Sequence, residues 1–342
     1  MTVKVAINGF GRIGRVVLRQ ILKTKDVEVI GINDLTPVAT SVHLLKYDSL
    51  HGPLAADIQS TDNSITVNGK QIPIYSTKDV AEVAQKFAKA DVVMECTGKI
   101  SGKEDLSKFI QAGAKFVILS RPAKKPEEVD GTFVIGVNHA IFDGQKHKVI
   151  SNASCTTNCL APVASVIHKK FGIEGGLMTT IHSYTNDQNV LDQGHKDLRR
   201  ARAAALSMIP TTTGAARAVG LVIPELNGKL DGFAIRVPTP NVSVVDLTAT
   251  LKTAVTAQTI NAELRRASES ELKGLLGYTD EPLVSSDFNG STYSSVVDSS
   301  LTTVLGKEGK LVKVISWYDN ETGYSTRMVD LARYVMTGKY AG

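Results

Sequence analysis

The stretch Ser151-Asn152-Ala153-Ser154-Cys155-Thr156-Thr157-Asn158-Cys159 holds two thiols, and one of them has the surroundings of a nucleophile. It follows the apolar run Lys148-Val149-Ile150 and precedes a helical pattern from Leu160 to Ile167, in which Pro162 reads as an early helical position. Polar residues between a strand and a helix suit an N-cap, so Cys155 is expected at or just before a helix start. The positive end of the helix dipole and the free N–H groups there favour thiolate over thiol. The hydroxyls of Ser154, Thr156 and Thr157 are available to hold an oxyanion. Cys159, one turn further on, and Cys96, after the apolar run Val92-Val93-Met94, read as small core residues. His182, closing an expected strand from Gly176, is a candidate base, since imidazole is the usual partner of an active thiol. Spacing alone does not bring the two together. Arg200, Arg236 and Thr213-Gly214 are candidate phosphate ligands, although a structural ion pair is an equal reading of each Arg.

A second stretch carries the pattern of a dinucleotide site. Asn8-Gly9-Phe10-Gly11-Arg12-Ile13-Gly14 is G-x-G-x-x-G, set between a buried strand (Val3 to Ile7) and a helical run (Arg15 to Leu22). Gly9 permits the tight turn, Gly11 lets backbone approach a pyrophosphate, and Gly14 permits close helix packing. Asp34 follows the next strand, about 20 residues on, where an acid accepts both ribose hydroxyls and repels a 2′-phosphate. That favours NAD over NADP. Thr97-Gly98 and Ser120-Arg121, at the ends of later strands, are further candidate cofactor contacts.

Strands and helices alternate through the first half, which implies a doubly wound parallel sheet of Rossmann type. Expected elements include an Asn-Gly hairpin over Ser64 to Ile74 and a strand over Thr132 to Val137. Lys124-Lys125-Pro126-Glu127-Glu128 reads as a solvated loop. After Cys155 long strands predominate, and the stretch from Ser183 to Ala215 reads as loop. The second half is therefore expected to be an α+β domain with a mostly antiparallel sheet, and the fold class α/β overall. The expected division is 1–151, 152–319, and a last helix in 320–342 packing back on the first domain.

Composition narrows the class. The 342 residues suffice for two cores, and 42% hydrophobic with 21% charged residues is ordinary for a globular protein. A net charge of +5 without charge blocks does not suggest nucleic acid or membrane partners. Three unevenly spaced Cys without a CxxC pair argue against a disulfide framework or a metal site. The N-terminus enters a strand at once, with no signal-peptide pattern, so a reducing, cytoplasmic setting is expected.

The whole chain resembles phosphorylating glyceraldehyde-3-phosphate dehydrogenases. The markers are Asn8 to Arg15, Ser151 to Pro162, Arg236-Val237-Pro238-Thr239-Pro240-Asn241-Val242-Ser243 and Trp317-Tyr318-Asp319-Asn320-Glu321. The resemblance implies oxidation of D-glyceraldehyde 3-phosphate with NAD and inorganic phosphate to 1,3-bisphosphoglycerate, in a homotetramer. It makes Cys155 the nucleophile, forming a thiohemiacetal and then a thioester, and His182 its base. Thr185, Arg200 and Arg236 would hold the substrate phosphate. Ser154, Thr156, Thr213 and Gly214 would receive the attacking phosphate. Asn320 would hold the nicotinamide carboxamide, with Arg12 and Ile13 along the cofactor. The chain departs from NAD-specific bacterial members at Gln193-Gly194, where Leu-Pro is frequent, and at Arg121, where Ala is frequent. NAD is preferred with some NADP use open. Erythrose-4-phosphate dehydrogenase shares the fold, Cys and His, but Ser183-Tyr184-Thr185 and Thr212 to Ala216 match the glyceraldehyde enzyme. A non-catalytic NAD-binding redox sensor would use Cys155 as an oxidation switch and would not need the phosphate ligands.

Iodoacetamide should alkylate Cys155 well before Cys159 or Cys96, as followed by peptide mass spectrometry; equal labelling of all three would remove the case for an activated thiol.

Overall fold

The computed structural model of the chain describes residues 2–100 and 102–340, which divide into two compact units. The first comprises residues up to Phe133, Ala140–Ala153 and the chain from Ser325 onward. The second comprises Val134–His139 and Ser154–Tyr324. Among the described residues, no helix is long and apolar enough to cross a membrane.

The first unit is built on β1 (Val3–Asn8), β2 (Val27–Asn33), β3 (Ile58–Thr61), β4 (Ser64–Val67), β5 (Lys70–Tyr75), β6 (Val92–Glu95), β7 (Phe116–Leu119), β8 (Gly131–Thr132) and β9 (Val149–Ser151). They form one sheet in the order β3-β4-β5-β2-β1-β6-β7-β9-β8. From β5 to β8 all neighbours are parallel. The reversal of order on either side of β1 is the expected doubly wound topology, which leaves a crevice at the carboxyl ends of the strands. Parallel strands are covered on both faces, which is why β6 and β7 are uninterrupted buried runs. Helices α1 (Arg12–Ile21), α2 (Val38–Lys46), α3 (Val80–Lys86) and α4 (Lys103–Ala112) supply crossovers and packing. The hairpin turn is the expected one: Asn68 and Gly69 both take positive φ, 50° and 79°, as a type I′ turn requires.

Two expectations in this region fail. The strand foreseen over Thr132 to Val137 stops at Thr132, and Val134–Asn138 is a turn. Asn138 Oδ1 accepts from Val134 N at 2.8 Å, and Val134 O accepts from Val137 N at 3.0 Å. Phe133, Val134 and Ile135 are nonetheless buried, so an apolar run that looked like a strand is a plug stabilised by a side-chain amide. The supposed solvated loop contains a 3₁₀ turn at Pro126–Glu128 whose Glu128 is buried and paired with Arg121.

The second unit holds α5 (Cys155–Phe171), β10 (Ile173–Ser183), β11 (Ile209–Thr212), α6 (Ala215–Val222), β12 (Leu230–Val237), β13 (Ser243–Val255), α7 (Ala257–Glu269), β14 (Leu276–Thr279), β15 (Ser295–Val304) and β16 (Gly309–Tyr318). Its sheet runs β11-β12-β10-β13-β16-β15-β14, antiparallel except for the β10–β12 and β14–β15 pairs. Burial alternates along β10, β13 and β16 with period two, so one face carries Met178, Thr180, His182, Val245, Val314 and Tyr318 inward. Helix α5 packs on that face and is buried almost throughout from Thr156 to Ile167. Pro162 lies inside α5 rather than in its first turn. Strand β11 falls in the stretch read as loop, and helix α6 begins at its last residue.

The last helix, α8 (Thr322–Thr337), passes from the second unit into the first. Within the first unit its Arg327 and Asp330 pair at 2.6 Å, Asp330 pairs with Arg333 at 2.8 Å, and Arg333 reaches Asp26 at 2.6 Å.

Gly14 faces β1 across the first turn of α1. A Cβ there would lie 2.2 Å from Gly9 O and 3.3 Å from a methyl of Ile7. Gly14→Ala is expected to cost about 1–3 kcal/mol by overpacking, read as a lower unfolding midpoint together with weakened NAD binding. An unaltered midpoint would show that the loop relaxes freely.

Candidate active site

Cys155 is the first residue of α5, with Ser154 as N-cap: Ser154 Oγ accepts from Thr157 N at 3.0 Å. Its Sγ lies 3.6 Å from His182 Nε2. His182 comes from the inward face of β10, directly beside Arg236 in the parallel β10–β12 register. The thiol and the imidazole left unpaired by spacing therefore meet.

The carbonyl of Ser183 orders the rest. It lies 2.7 Å from His182 Nδ1 and accepts from Arg236 Nη1 at 2.8 Å. A carbonyl only accepts, so Nδ1 carries the proton and Nε2 offers its lone pair to the thiol. Arg236 Nη1 is also 2.8 Å from Nδ1. Donation along that line would need a bare Nδ1 whose lone pair opposed the carbonyl's at 2.7 Å, so the two donors instead share one acceptor.

Burial pushes the His182 imidazole down to about 3, reinforced by Arg236 and by a smaller contribution from Arg200. Burial pushes the Cys155 thiol up, against the pull of Arg236 and of hydrogen bonds from Thr156. Both shifts favour the uncharged pair, where the sequence favoured thiolate. A proton passed from Sγ to Nε2 would leave a thiolate beside the helix start and the guanidinium, both of which favour a negative charge. Arg236 Nε is buried without a hydrogen-bond partner among the described residues, a donor suited to an anion.

The other anion candidates gather around this pair in part. Thr157 Oγ1 donates to Ala215 O at 3.4 Å, which joins the start of α5 to that of α6. Gly214 is the N-cap of α6, and Thr213 Oγ1 accepts from Ala215 N at 3.2 Å. Two helix starts and a guanidinium in one place suit an anion. The hydroxyls foreseen for an oxyanion are already engaged: Ser154 with Thr157 at 2.7 Å, and Thr156 with Tyr318 Oη at 2.8 Å. Arg200 pairs with Asp187 and donates from Nε to Thr211 Oγ1 at 2.9 Å. Thr185 N donates to Gln188 Oε1 at 3.3 Å. Asn320 Oδ1 accepts from Ser243 Oγ at 2.9 Å, and Ser243 Oγ accepts from Ser183 N at 3.1 Å, so Asn320 is tied to the same backbone as His182. Cys159 is fully buried between Ser295 and Ser316, each 3.3 Å away.

The first unit has its own cleft of about 600 Å³ at the strand ends, lined in part by Asn8, Gly9, Gly11, Asn33, Asp34, Thr77, Cys96, Thr97 and Lys99. Gly9, at φ 95°, packs its α-carbon against the Cys96–Thr97 peptide, where a Cβ would lie 2.6 Å from Thr97 N. A Cβ on Gly11 would meet nothing, and α1 begins there without a side-chain cap, leaving N–H groups for a phosphate. Asp34 is held by Phe10 N at 2.5 Å and Thr36 N at 2.8 Å. The cleft fits a dinucleotide. Arg12, Ile13, Gly14 and Ser120 do not line it, and Arg12 pairs with Asp48 at 2.7 Å. Cys96, taken for core, is half-buried on the cleft wall. Arg121 is no free cation: both carboxylate oxygens of Glu128 and the carbonyls of Ile100 and Pro122 take its guanidinium.

Residues 3–103 match the glyceraldehyde 3-phosphate dehydrogenase NAD binding domain, and residues 154–320 the C-terminal domain of the same enzyme. The chain is 59% identical over 335 residues to glyceraldehyde-3-phosphate dehydrogenase of Geobacillus stearothermophilus, covering 98% of both. It is 56% identical over 335 residues to glyceraldehyde-3-phosphate dehydrogenase 1 of Bacillus subtilis, again 98% of both. The chain belongs to the glyceraldehyde-3-phosphate dehydrogenase family. A relative from Synechocystis, glyceraldehyde-3-phosphate dehydrogenase 2, is 55% identical over 334 residues, 97% of this chain and 98% of its own. Members of this family are NAD-dependent oxidoreductases, and NAD is the cofactor.

Within this family member, sequence reasoning passed over Ser183, whose carbonyl sets the tautomer, and Tyr318, whose hydroxyl joins Thr156 to Thr180 at 2.8 and 2.9 Å. Backbone acceptors leave no trace in side-chain chemistry. A tyrosine alternating with inward residues at a strand end was the one signal available.

Arg236→Leu removes the charge that favours thiolate. Alkylation of Cys155 by iodoacetamide at neutral pH should slow by about tenfold, one pKa unit of lost stabilisation. A rate unchanged from wild type would mean that the helix start alone activates the sulfur.

Proposed function

We propose that the chain oxidises D-glyceraldehyde 3-phosphate to 1,3-bisphosphoglycerate, with residues 1–151 binding NAD, 152–319 carrying the chemistry, and the helix in 320–342 completing the cofactor domain. The observation that carries this reading is the 3.6 Å approach of Cys155 Sγ to a neutral His182 Nε2 beside Arg236.

Sγ bonds the aldehyde carbon while its proton passes to Nε2, and the imidazolium returns that proton to the carbonyl oxygen. The product is a thiohemiacetal on Cys155. Nε2 then takes the hydroxyl proton as the carbon becomes the thioester carbonyl. Bound NAD supplies the two-electron acceptor for the hydride leaving that carbon. An oxygen of inorganic phosphate attacks the thioester, the C–S bond breaks, and the thiolate recovers its proton from Nε2. Covalent attachment keeps the oxidation energy as a thioester until phosphate arrives.

Thr185, Arg200 and Arg236 hold the substrate phosphate in this reading, and Ser154, Thr156, Thr213 and Gly214 the attacking phosphate. The unpartnered Arg236 Nε and the two converging helix starts support it. Gly9, Gly11, Arg12, Ile13, Gly14, Asp34, Thr97, Ser120 and Asn320 serve the cofactor, with Arg12, Ile13, Gly14 and Ser120 acting from outside the cleft wall.

A cytoplasmic homotetramer is part of the same proposal. The outward face of the second sheet supports it, since Leu177, Phe233, Leu301 and Leu311 stand exposed on neighbouring strands.

The test is NADH formation from glyceraldehyde 3-phosphate with and without inorganic phosphate, with erythrose 4-phosphate and NADP in parallel arms. Phosphate-dependent turnover with NAD and the three-carbon substrate is expected, and with NADP much less, given Asp34 and the neutralised Arg121. Turnover independent of phosphate would sink phosphate attack as the step that releases the thioester. Preference for the four-carbon substrate would transfer the assignment to the sister enzyme.

A further inference from the structure

Beneath the cofactor cleft lies a buried polar chain that neither the proton transfers nor the phosphate ligands use. Thr77 N donates to Asn33 Oδ1 at 3.1 Å, and Asn33 Nδ2 donates to Asn8 Oδ1 at 2.8 Å. Asn8 Nδ2 donates to Glu95 Oε2 at 2.5 Å. From the other end, Thr97 N donates to Glu95 Oε1 at 2.9 Å, and the Thr97 hydroxyl donates to the same oxygen. Asn33, Asn8 and Glu95 sit at the carboxyl ends of the adjacent strands β2, β1 and β6, and Thr77 just beyond β5. Glu95 is fully buried, and Thr77, Asn33, Asn8 and Thr97 all line the cleft.

The direction of each backbone and amide bond in this chain is forced. The backbone N–H groups of Thr77 and Thr97 can only donate, one into each end. The first fixes the amide of Asn33, and Asn33 fixes that of Asn8. Donors therefore converge from both sides on residue 95, where only an acceptor on both oxygens satisfies them. A carboxylate does so, whereas an amide would turn an NH₂ against one of the donors.

We propose that Glu95 is a positioning residue for the dinucleotide: as the common acceptor of this chain, it holds Thr77, Asn33, Asn8 and Thr97 at the spacing the cofactor requires. It touches no reacting atom.

Glu95→Gln should raise the Kd for NAD by about tenfold or more, the cost of one buried donor left opposed. The KM for NAD should rise accordingly, while the KM for glyceraldehyde 3-phosphate stays put. The double variant Asn8→Asp with Glu95→Gln restores complementarity: the new amide donates to the new carboxylate, which still accepts from Asn33, and its oxygen still accepts from Thr97. It should return the Kd for NAD to within about threefold of wild type, because each donor again has its acceptor. Titration with NAD and thermal melts of both proteins decide the matter, with the alkylation rate of Cys155 as a control on the other unit. A single variant that melts earlier yet binds NAD normally would overturn the proposal. So would a double variant that fails to fold, or that folds and binds NAD as weakly as the single one.

Discussion

One backbone oxygen, the carbonyl of Ser183, holds His182 and Arg236 in place beside Cys155. It takes the proton of His182 Nδ1 and one N–H of Arg236 at nearly equal lengths, 2.7 and 2.8 Å. The first contact leaves Nε2 free to accept from the thiol. The second brings a guanidinium next to a sulfur that burial would otherwise keep protonated. A side chain in that role could rotate away; a strand-end carbonyl cannot. Ser183 is itself pinned twice, by Ser243 to its N–H and by its own hydroxyl to Val242 O at 2.7 Å. Val242 takes φ 65°, a conformation that a β-branched residue adopts only where its surroundings insist.

That carbonyl can act only because strand register and helix placement agree. Pairing His182 with Arg236 across β10 and β12 puts base and cation on the same inward face. A slip of β10 by one residue would turn His182 outward, away from the face that carries Arg236, and leave Cys155 facing Ile181 or Ser183. Helix α5 is anchored by a core of small and branched residues, so the position of its first residue is set by packing along its whole length. Precision at the sulfur is thus drawn from a large apolar interface, while the polar groups near it decide protonation.

Much of this was legible in the sequence wherever one segment sufficed. The strand, glycine loop, helix and Asp34 lie within a single βαβ unit, and Asn68-Gly69 announces its own turn. The start of α5 was readable from its polar cap. Segments whose state depends on distant partners were not. Val134-Ile135 looks like a strand until Asn138 folds back on it, and Glu128 looks solvated until Arg121 arrives. Pro162 was placed near the helix start because prolines prefer that site, yet α5 runs through it under tertiary packing. The meeting of Cys155 with His182, 27 residues apart, came only from resemblance, since no local rule measures the distance between a helix start and a strand end.

The arrangement of α8 bears on how the molecule is made. Arg333 reaches back to Asp26, at the mouth of β2, and Arg327 and Asp330 are buried with it in the first unit. Apart from the short Val134–His139 turn, the second unit is one continuous run, Ser154–Tyr324, and can close as soon as that run has left the ribosome. The first unit must wait for the final helix, although most of its strands are synthesised earliest. Throughout translation the half-made parallel sheet therefore lacks the helix whose Arg333 pairs with Asp26, and nascent chains stalled before Ser325 would present that unfinished surface to chaperones.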